Sequence, residues 1–139
     1  MDSKIIELLL CEAEKVFNEN EVPIGCVITK NLNIVCSTHN TKMQNNCSIN
    51  HAEMNAITIA SKIIGDWRLD DCELYVTLEP CNMCKEAIRQ ARIKRVYYLL
   101  PSNFHNEDKK KIDYNSITLN NDAQRKYKML LQQFFSNKR

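Results

Sequence analysis

The sequence predicts an α/β fold in which a mixed central sheet lies between helices on both faces. Three observations lead to this prediction. The 139 residues suffice for one domain, helical and strand-like apolar patterns alternate along the chain, and the strand–helix–strand succession over 73–100 requires a parallel crossover. We therefore expect a three-layer α/β/α sandwich, formed by a single domain over residues 1–139.

The first half of the chain predicts two helices separated by a hairpin and a loop. Apolar residues recur at helical spacing to about Asn18, after a capping Asp2 or Ser3. Two β-prone runs then flank a turn at Lys30-Asn31, and Gly65 ends the second helix. In order, the predicted elements are a helix (5–18), two strands (22–28 and 32–36), a polar loop (38–50) and a helix (51–65).

The second half predicts a third strand, a third helix, a fourth strand closed by Pro101, and a last amphipathic helix. Asn121 and Gln124 are spaced as a capping box for that last helix. In order, these elements cover residues 73–78, 81–91, 93–100 and 123–135.

Composition points to an intracellular protein. The early apolar run is short and interrupted by Glu7, so no secretory signal is visible, and no apolar run approaches the roughly 20 residues that span a membrane. We therefore predict a cytoplasmic location without membrane contact. The net charge of +2 divides into −6 over residues 1–84 and +8 over residues 85–139. The basic half fits either a phosphate-binding surface or a solvated, Lys-rich one.

The seven cysteines do not predict a disulfide framework, because their number is odd and no signal peptide precedes them. Two of them, Cys81 and Cys84, lie in the segment Pro80-Cys81-Asn82-Met83-Cys84 and are treated below. The other five are interpreted as ordinary thiols: Cys11, Cys26, Cys36, Cys47 and Cys72.

Two short segments supply three zinc ligands and one further carboxylate. His51 and Glu53 come from His51-Ala52-Glu53, and Cys81 and Cys84 from the Pro-Cys-x-x-Cys segment. A catalytic zinc takes three protein ligands and leaves one position to water, whereas a structural zinc takes four. We therefore predict His51, Cys81 and Cys84 as ligands and Glu53 as the group that exchanges protons with the water.

Each segment alone has a simpler interpretation. Cys81-x-x-Cys84 alone is typical of a redox pair or of half a structural zinc site, and a lone His-x-Glu carries almost no information. No second Cys-x-x-Cys occurs in the sequence. Both segments are predicted to begin a helix, where partial positive charge lowers thiol pKa values. Their conjunction therefore favours a hydrolytic zinc site.

These residues resemble the signature of the cytidine deaminase-like zinc deaminases, which combines His-x-Glu with Pro-Cys-x-x-Cys. Within that superfamily the sequence looks most like the tRNA-specific adenosine deaminases, and the resemblance covers about residues 4–98. The segments that carry it are Glu21-Val22-Pro23-Ile24-Gly25, Asn40, His51-Ala52-Glu53 and Leu74-Tyr75-Val76-Thr77-Leu78-Glu79-Pro80-Cys81-Asn82-Met83-Cys84.

The resemblance implies hydrolytic conversion of the wobble adenosine of a tRNA anticodon loop to inosine, with one Zn²⁺ per chain. It also implies that Glu53 is the proton shuttle, that Asn40 contacts the base, and that the protein is a homodimer. A turn asparagine in an Asn-rich loop is the alternative interpretation of Asn40.

Two other functions remain open at this point. The segments Cys47-Ser48-Ile49-Asn50 and Leu99-Leu100-Pro101-Ser102 depart from the pattern of bacterial tRNA deaminases, and Asn55 lies in a segment similar to that of deoxycytidylate deaminases. A free nucleotide or nucleobase deaminase, acting on deoxycytidylate, cytosine or guanine, is therefore the alternative. A third interpretation is a non-catalytic zinc-binding subunit, against which Glu53 argues.

Overall fold

The structure, a computed structural model, describes residues 3–17, 20–102, 112–117 and 121–136. Within these ranges four helices and five strands follow one another in an α/β order, and the predicted fold class is confirmed. The elements are α1 (Ser3–Lys15), β1 (Gly25–Lys30), β2 (Asn33–His39), α2 (Ala52–Ile64), β3 (Cys72–Leu78), α3 (Asn82–Gln90), β4 (Arg95–Leu100), β5 (Asp113–Ser116) and α4 (Asn121–Ser136).

The five strands form one mixed sheet in the order β2-β1-β3-β4-β5. β1 pairs antiparallel with β2 and β3, whereas β4 pairs parallel with β3 and β5. The parallel pairing of β3 with β4 across α3 confirms the predicted crossover. β5 was not predicted, because its sequence Asp-Tyr-Asn-Ser contains no apolar alternation and it forms an edge of the sheet.

Helices cover both faces of the sheet, as predicted. α2 contacts β1, β2 and α3, whereas α1 contacts β1, β2, β3 and α4. Strand side chains alternate between the two layers: Cys26 and Ile28 join the cluster that includes Ala56 and Ile88, while Val27 packs with Leu9. Full burial of a side chain such as Leu9 stabilises the fold by roughly 1.5–3 kcal/mol.

β1 begins at Gly25, three residues later than predicted. Pro23 has no N–H for a ladder, and the N–H of Ile24 donates to Asn40 Oδ1 at 3.3 Å instead of to a neighbouring strand. A Cβ on Gly25 would lie 2.3 Å from the carbonyl oxygen of Leu9. The missing side chain therefore allows α1 to pack directly on the sheet at this point.

The hairpin also differs from its prediction in detail. Its turn is formed by Asn31 and Leu32, with φ values of 50° and 69° that match a two-residue I′ turn, so the predicted turn at Lys30-Asn31 was displaced by one residue. β2 continues to His39, so the predicted loop begins at Asn40 and not at residue 38.

Two helix boundaries complete the comparison. α1 ends at Lys15, earlier than the predicted end near Asn18, which lies outside the described residues. Gly65 ends α2 as predicted, with φ 80° and its N–H donating to the carbonyl of Ser61.

Gln124 donates from its side-chain amide to the carbonyls of Leu99 and Ile117, at 2.9 and 3.1 Å, and so attaches α4 to β4.

No helix in the described ranges is both long enough and apolar enough to cross a membrane.

Candidate active site

The two zinc-ligand segments meet at the N-termini of α2 and α3. His51 is the N-cap residue of α2 and Cys81 that of α3, and both have extended backbone conformations. α2 and α3 contact each other, so their N-terminal ends bring His51 beside Cys81 and Cys84. The partial positive charge at two helix ends favours thiolates at this point.

The three predicted ligands are grouped at distances that suit one zinc ion. His51 Nδ1 lies 3.6 Å from Cys81 Sγ and 3.5 Å from Cys84 Sγ, and all three atoms lie within 4.8 Å of one another. A tetrahedral ion with Zn–S of about 2.3 Å and Zn–N of about 2.0–2.1 Å places sulfur and nitrogen about 3.5–3.6 Å apart. The donor set therefore fits zinc in both chemistry and spacing.

Electrostatics within the group prepare a thiolate. Hydrogen bonds from Cys84 and His51 lower the pKa of Cys81 to about 3, and the hydrogen bond with Cys81 in turn raises the pKa of His51. The pKa of Cys84 is raised, because its thiol donates to Cys81 and is buried. The group therefore favours a thiolate at Cys81.

Glu53 lies in the first turn of α2, where its side chain is only 3% exposed. Burial raises the pKa of this carboxyl to about 7. Its Oε1 is buried and has no hydrogen-bond partner among the described residues, and its carboxylate is not part of the ligand group. Glu53 is therefore available to exchange a proton near neutral pH.

A cavity of about 280 Å³ opens beside this group. Its volume is just below the usual range of roughly 300–1,000 Å³ for small-molecule sites, and it combines apolar walls with a few polar groups, as such sites do. Its lining comes from the lead-in to β1, the segment after β2, both helix N-termini and the segment after β4. The lining residues are Val22, Ile24, Asn40, Lys42, His51, Glu53, Leu78, Glu79, Cys81 and Ser102.

Asn40 contributes an almost completely buried amide to this cavity, at 7% exposure. Its Oδ1 accepts from the N–H of Ile24 at 3.3 Å, and its Nδ2 donates to Glu21 Oε2 at 3.1 Å. One N–H and one lone pair of the amide remain for a ligand. The structure thus brings all five predicted site residues to one place.

Two further carboxylates at the cavity, the buried Glu21 and the partly buried Glu79, were not predicted to have a role. Glu21 is 1% exposed, and its Oε1 accepts from the backbone N–H groups of Met43 and Gln44. Glu79 Oε2 accepts from Lys85 Nζ at 3.2 Å, and its Oε1 from the N–H of Ser102 at 3.1 Å. The only sequence signal was an acidic residue inside each family-like segment.

Asn55, which favoured a nucleotide deaminase, does not line the cavity. Its Nδ2 donates to the carbonyl of His39 at 2.9 Å and to Thr41 Oγ1 at 3.0 Å. These two bonds hold the residues on either side of Asn40, one through the backbone of His39 and one through the side chain of Thr41. Since this amide group is committed to the protein, its presence does not favour one substrate over another.

The two atypical segments occupy different positions. In the 47–50 segment, the carbonyl of Asn50 accepts from the N–H of Thr41 at 2.8 Å, and no residue of the segment lines the cavity. In the 99–102 segment, Ser102 does line it. The Lys-rich residues 109–111 lie outside the described residues.

Comparison with known proteins places this arrangement in a family. The model of the cytidine and deoxycytidylate deaminase zinc-binding region matches residues 1–100. A tRNA-specific adenosine deaminase of Streptococcus pyogenes is 51% identical over 89 residues, which are 64% of this chain and 56% of that protein. The match therefore spans little more than half the length of this relative.

Two solved structures share the fold. A tRNA:A34 deaminase, studied for A-to-I editing at the wobble position of transfer RNA, superposes with a TM-score of 0.76 at 32% identity, covering 82% of this chain and 97% of that chain. Guanine deaminase from Bacillus subtilis superposes with a TM-score of 0.68 at 36% identity, covering 73% of this chain and 66% of that chain. Sequence, fold and zinc-ligand geometry agree, and the chain belongs to the cytidine and deoxycytidylate deaminase zinc-binding family.

Proposed function

We propose that the protein is a zinc-dependent hydrolytic deaminase that converts the wobble adenosine of a tRNA anticodon loop to inosine and releases ammonia. The observation that carries the reaction is the buried carboxylate of Glu53, whose Oε1 has no hydrogen-bond partner among the described residues, beside the three grouped ligand residues. The substrate is supported by the likeness to a streptococcal tRNA-specific adenosine deaminase and to a tRNA:A34 deaminase structure.

His51, Cys81 and Cys84 would hold one zinc ion per chain. When bound, zinc supplies Lewis acidity that lowers the pKa of water towards about 7. Three ligands from the protein leave one position for that water, as in other catalytic zinc sites.

Glu53 is the proton carrier in this proposal. It accepts a proton from the attacking water and transfers it to the ring nitrogen next to the attacked carbon. It then carries the second proton to the departing amine, which leaves as ammonia. Burial raises the pKa of Glu53 to about 7, so the carboxyl can both accept and donate at neutral pH.

Asn40 and Lys42 would recognise the substrate. The free N–H and lone pair of the Asn40 amide match the mixed acceptors and donors of a purine edge. The cavity of about 280 Å³ accommodates a single base, so a wobble adenosine would enter unstacked. Lys42 is exposed at the cavity wall, where its ammonium can meet a phosphate.

We expect only a few cations of the protein to contact the phosphates of RNA. Several cations of the basic half form ion pairs: Lys85 with Glu79, Arg89 with Glu86, and Lys126 with Asp122. We therefore expect RNA affinity to fall with salt at a slope that corresponds to a few phosphate contacts. An affinity that does not change between 50 and 200 mM salt would contradict this part of the proposal.

A free-base deaminase is the second candidate, favoured by the likeness to guanine deaminase at 36% identity. One experiment separates the two. The zinc-loaded protein is incubated separately with an anticodon stem-loop that carries adenosine at the wobble position, with guanine, with cytosine and with deoxycytidylate, and products are identified by mass. Inosine in RNA alone supports the proposal, and xanthine alone supports the second candidate. Absence of every product would instead favour a non-catalytic zinc-binding subunit.

We further propose a cytoplasmic homodimer. α2 presents Ile59 and Ile63, 42% and 62% exposed and one helical turn apart, and Met83 at the start of α3 is 36% exposed. An apolar face next to the site fits a second copy of the chain. Light scattering of wild type and of Ile63→Lys tests it: a monomeric wild type would contradict the proposal.

A further inference from the structure

We infer that Glu21 is a positioning residue, which holds the Asn40 amide in the single orientation that presents it to the base. The inference rests on the proposed function, in which Asn40 contacts the substrate. Glu21 lies on the lead-in to β1 and does not line the cavity itself. It acts through hydrogen bonds that connect two segments, the lead-in to β1 and the segment after β2.

The carboxylate of Glu21 only accepts hydrogen bonds. Oε1 receives the N–H groups of Met43 and Gln44, the latter at 2.9 Å, and Oε2 receives Asn40 Nδ2 at 3.1 Å. With 1% of its surface exposed, Glu21 is removed from solvent. A side chain that accepts three bonds with two oxygens, as Glu21 does, cannot be replaced by an amide, which has only one oxygen.

The same contacts determine which way the Asn40 amide faces. Its NH₂ group must meet the carboxylate of Glu21, and its oxygen must meet the N–H of Ile24. If the Asn40 amide were flipped, its oxygen would face an oxygen of Glu21 and its NH₂ group would face the N–H of Ile24. Each of these buried mismatches is unfavourable. The NH₂ group and the oxygen of Asn40 therefore each have one orientation. The N–H and the lone pair that remain for the base are fixed in position as well.

Glu21→Gln tests this arrangement with almost no change in volume. Glutamine offers one oxygen and one NH₂ group, so it cannot accept from the rim backbone and from Asn40 at the same time. In one of the two contacts, the NH₂ group of the glutamine then faces another N–H donor. We expect kcat/KM for the wobble-adenosine stem-loop to fall about 10- to 100-fold, as for a slightly misplaced contact group, while the protein stays folded.

A double-mutant cycle separates positioning from a general structural role. If Glu21 acts only through Asn40, then Asn40→Ala and the double variant Glu21→Gln/Asn40→Ala have the same kcat/KM within about twofold. If Glu21 acts independently, the double variant falls further, by as much as Glu21→Gln falls below wild type. That additive result would overturn the inference, as would a single Glu21→Gln variant that stays within twofold of wild type.

A matched control removes a carboxylate elsewhere on the sheet. Glu73 is the second residue of β3, does not line the cavity and accepts from Tyr97 Oη at 3.1 Å. Glu73→Gln changes the net charge equally, and its kcat/KM is expected to remain that of wild type. A loss in this variant equal to that in Glu21→Gln would assign the effect to charge and overturn the inference.

The test also distinguishes failure of the proposed function. If wild type deaminates guanine or a nucleotide and not the stem-loop, the proposed function fails, and the cycle is measured on the substrate that reacts. Independently of turnover, the side-chain amide resonance of Asn40 in ¹⁵N-labelled protein reports its contact with the carboxylate. We expect that resonance to move in Glu21→Gln and to stay in Glu73→Gln; an unmoved resonance in Glu21→Gln would overturn the inference.

Discussion

Replacing Glu53 by glutamine removes a proton carrier while keeping the shape of the side chain. Proton transfer by a positioned group contributes about 10²–10⁴ to a rate. Because Glu53 is proposed to move a proton in two successive steps, we expect the upper end, a loss of about 10⁴-fold in kcat. That factor corresponds to about 5 kcal/mol of activation free energy. The zinc content of the variant should be unchanged, since the carboxylate is not part of the ligand group.

The same substitution has a pH-dependent effect on the stability of the metal-free protein. Burial raises the pKa of Glu53 from 4.5 to about 7, and one pKa unit is about 1.4 kcal/mol. Because the folded pKa lies above the unfolded one, ionisation destabilises the fold increasingly between these values and fully above pH 7. The unfolding free energy of Glu53→Gln minus that of wild type should therefore grow by about 3 kcal/mol from pH 4 to pH 8.

Three measurements complete the test. Metal content is determined by atomic emission, turnover by mass of the RNA product, and stability by urea unfolding of the metal-free protein at several pH values. The Glu73→Gln variant serves as the control for loss of a carboxylate. A Glu53→Gln enzyme that keeps more than about 1% of wild-type turnover would refute the proton-carrier role. Loss of zinc in this variant would show that Glu53 is a ligand.

Three further substitutions probe the site and the fold that supports it. Cys84→Ala should lose stoichiometric zinc and lower the melting temperature, because metal binding and folding are coupled; a variant that retains one zinc per chain would show that the ligand set is wrong. Gly25→Ala should destabilise the protein by about 1–3 kcal/mol in thermal unfolding, since its Cβ would lie 2.3 Å from Leu9 O, and unchanged stability would contradict this packing. Asn55→Ala should lower the free energy of unfolding by about 1–3 kcal/mol, because two hydrogen bonds are lost. It should also lower turnover without changing zinc content; turnover equal to wild type would refute the idea that Asn55 holds Asn40 in position.

Local apolar patterns were sufficient to predict most of the fold. Each helix has one buried face, which leaves a period of 3.6 in the sequence, whereas the central strands β1 and β3 are buried on both faces and form short, nearly continuous β-prone runs. β2 was predicted too short because its last residues depend on a distant partner: Ser37 Oγ donates to Glu12 Oε1 at 3.1 Å, and His39 Nδ1 lies 2.7 Å from Glu12 Oε2. No pattern within β2 could reveal a buried carboxylate on α1.

The site was predictable to the extent that its chemistry constrains the sequence. Metal ligands must be of particular residue types, and two of the three candidates lie on one helix turn, so His51, Cys81 and Cys84 could be proposed as ligands from their spacing. Glu21 and Glu79 leave no such spacing, because their partners, Asn40 and Ser102, follow 19 and 23 residues later. Positioning by long-range hydrogen bonds becomes visible only when the chain is folded.

The geometry separates catalysis from substrate choice. The predicted zinc ligands and Glu53 lie at two helix N-termini on one face of the sheet, whereas the rim of the cavity comes from connecting segments. A carboxylate holds each side of that rim: the buried Glu21 binds the segment after β2, and the partly buried Glu79 the segment after β4. Because rim segments can change while the helix ends stay fixed, one catalytic group can serve different bases. Such a division is consistent with the superposition of both a tRNA:A34 deaminase and a guanine deaminase on this chain. Substitutions intended to change specificity should therefore be made in the rim segments.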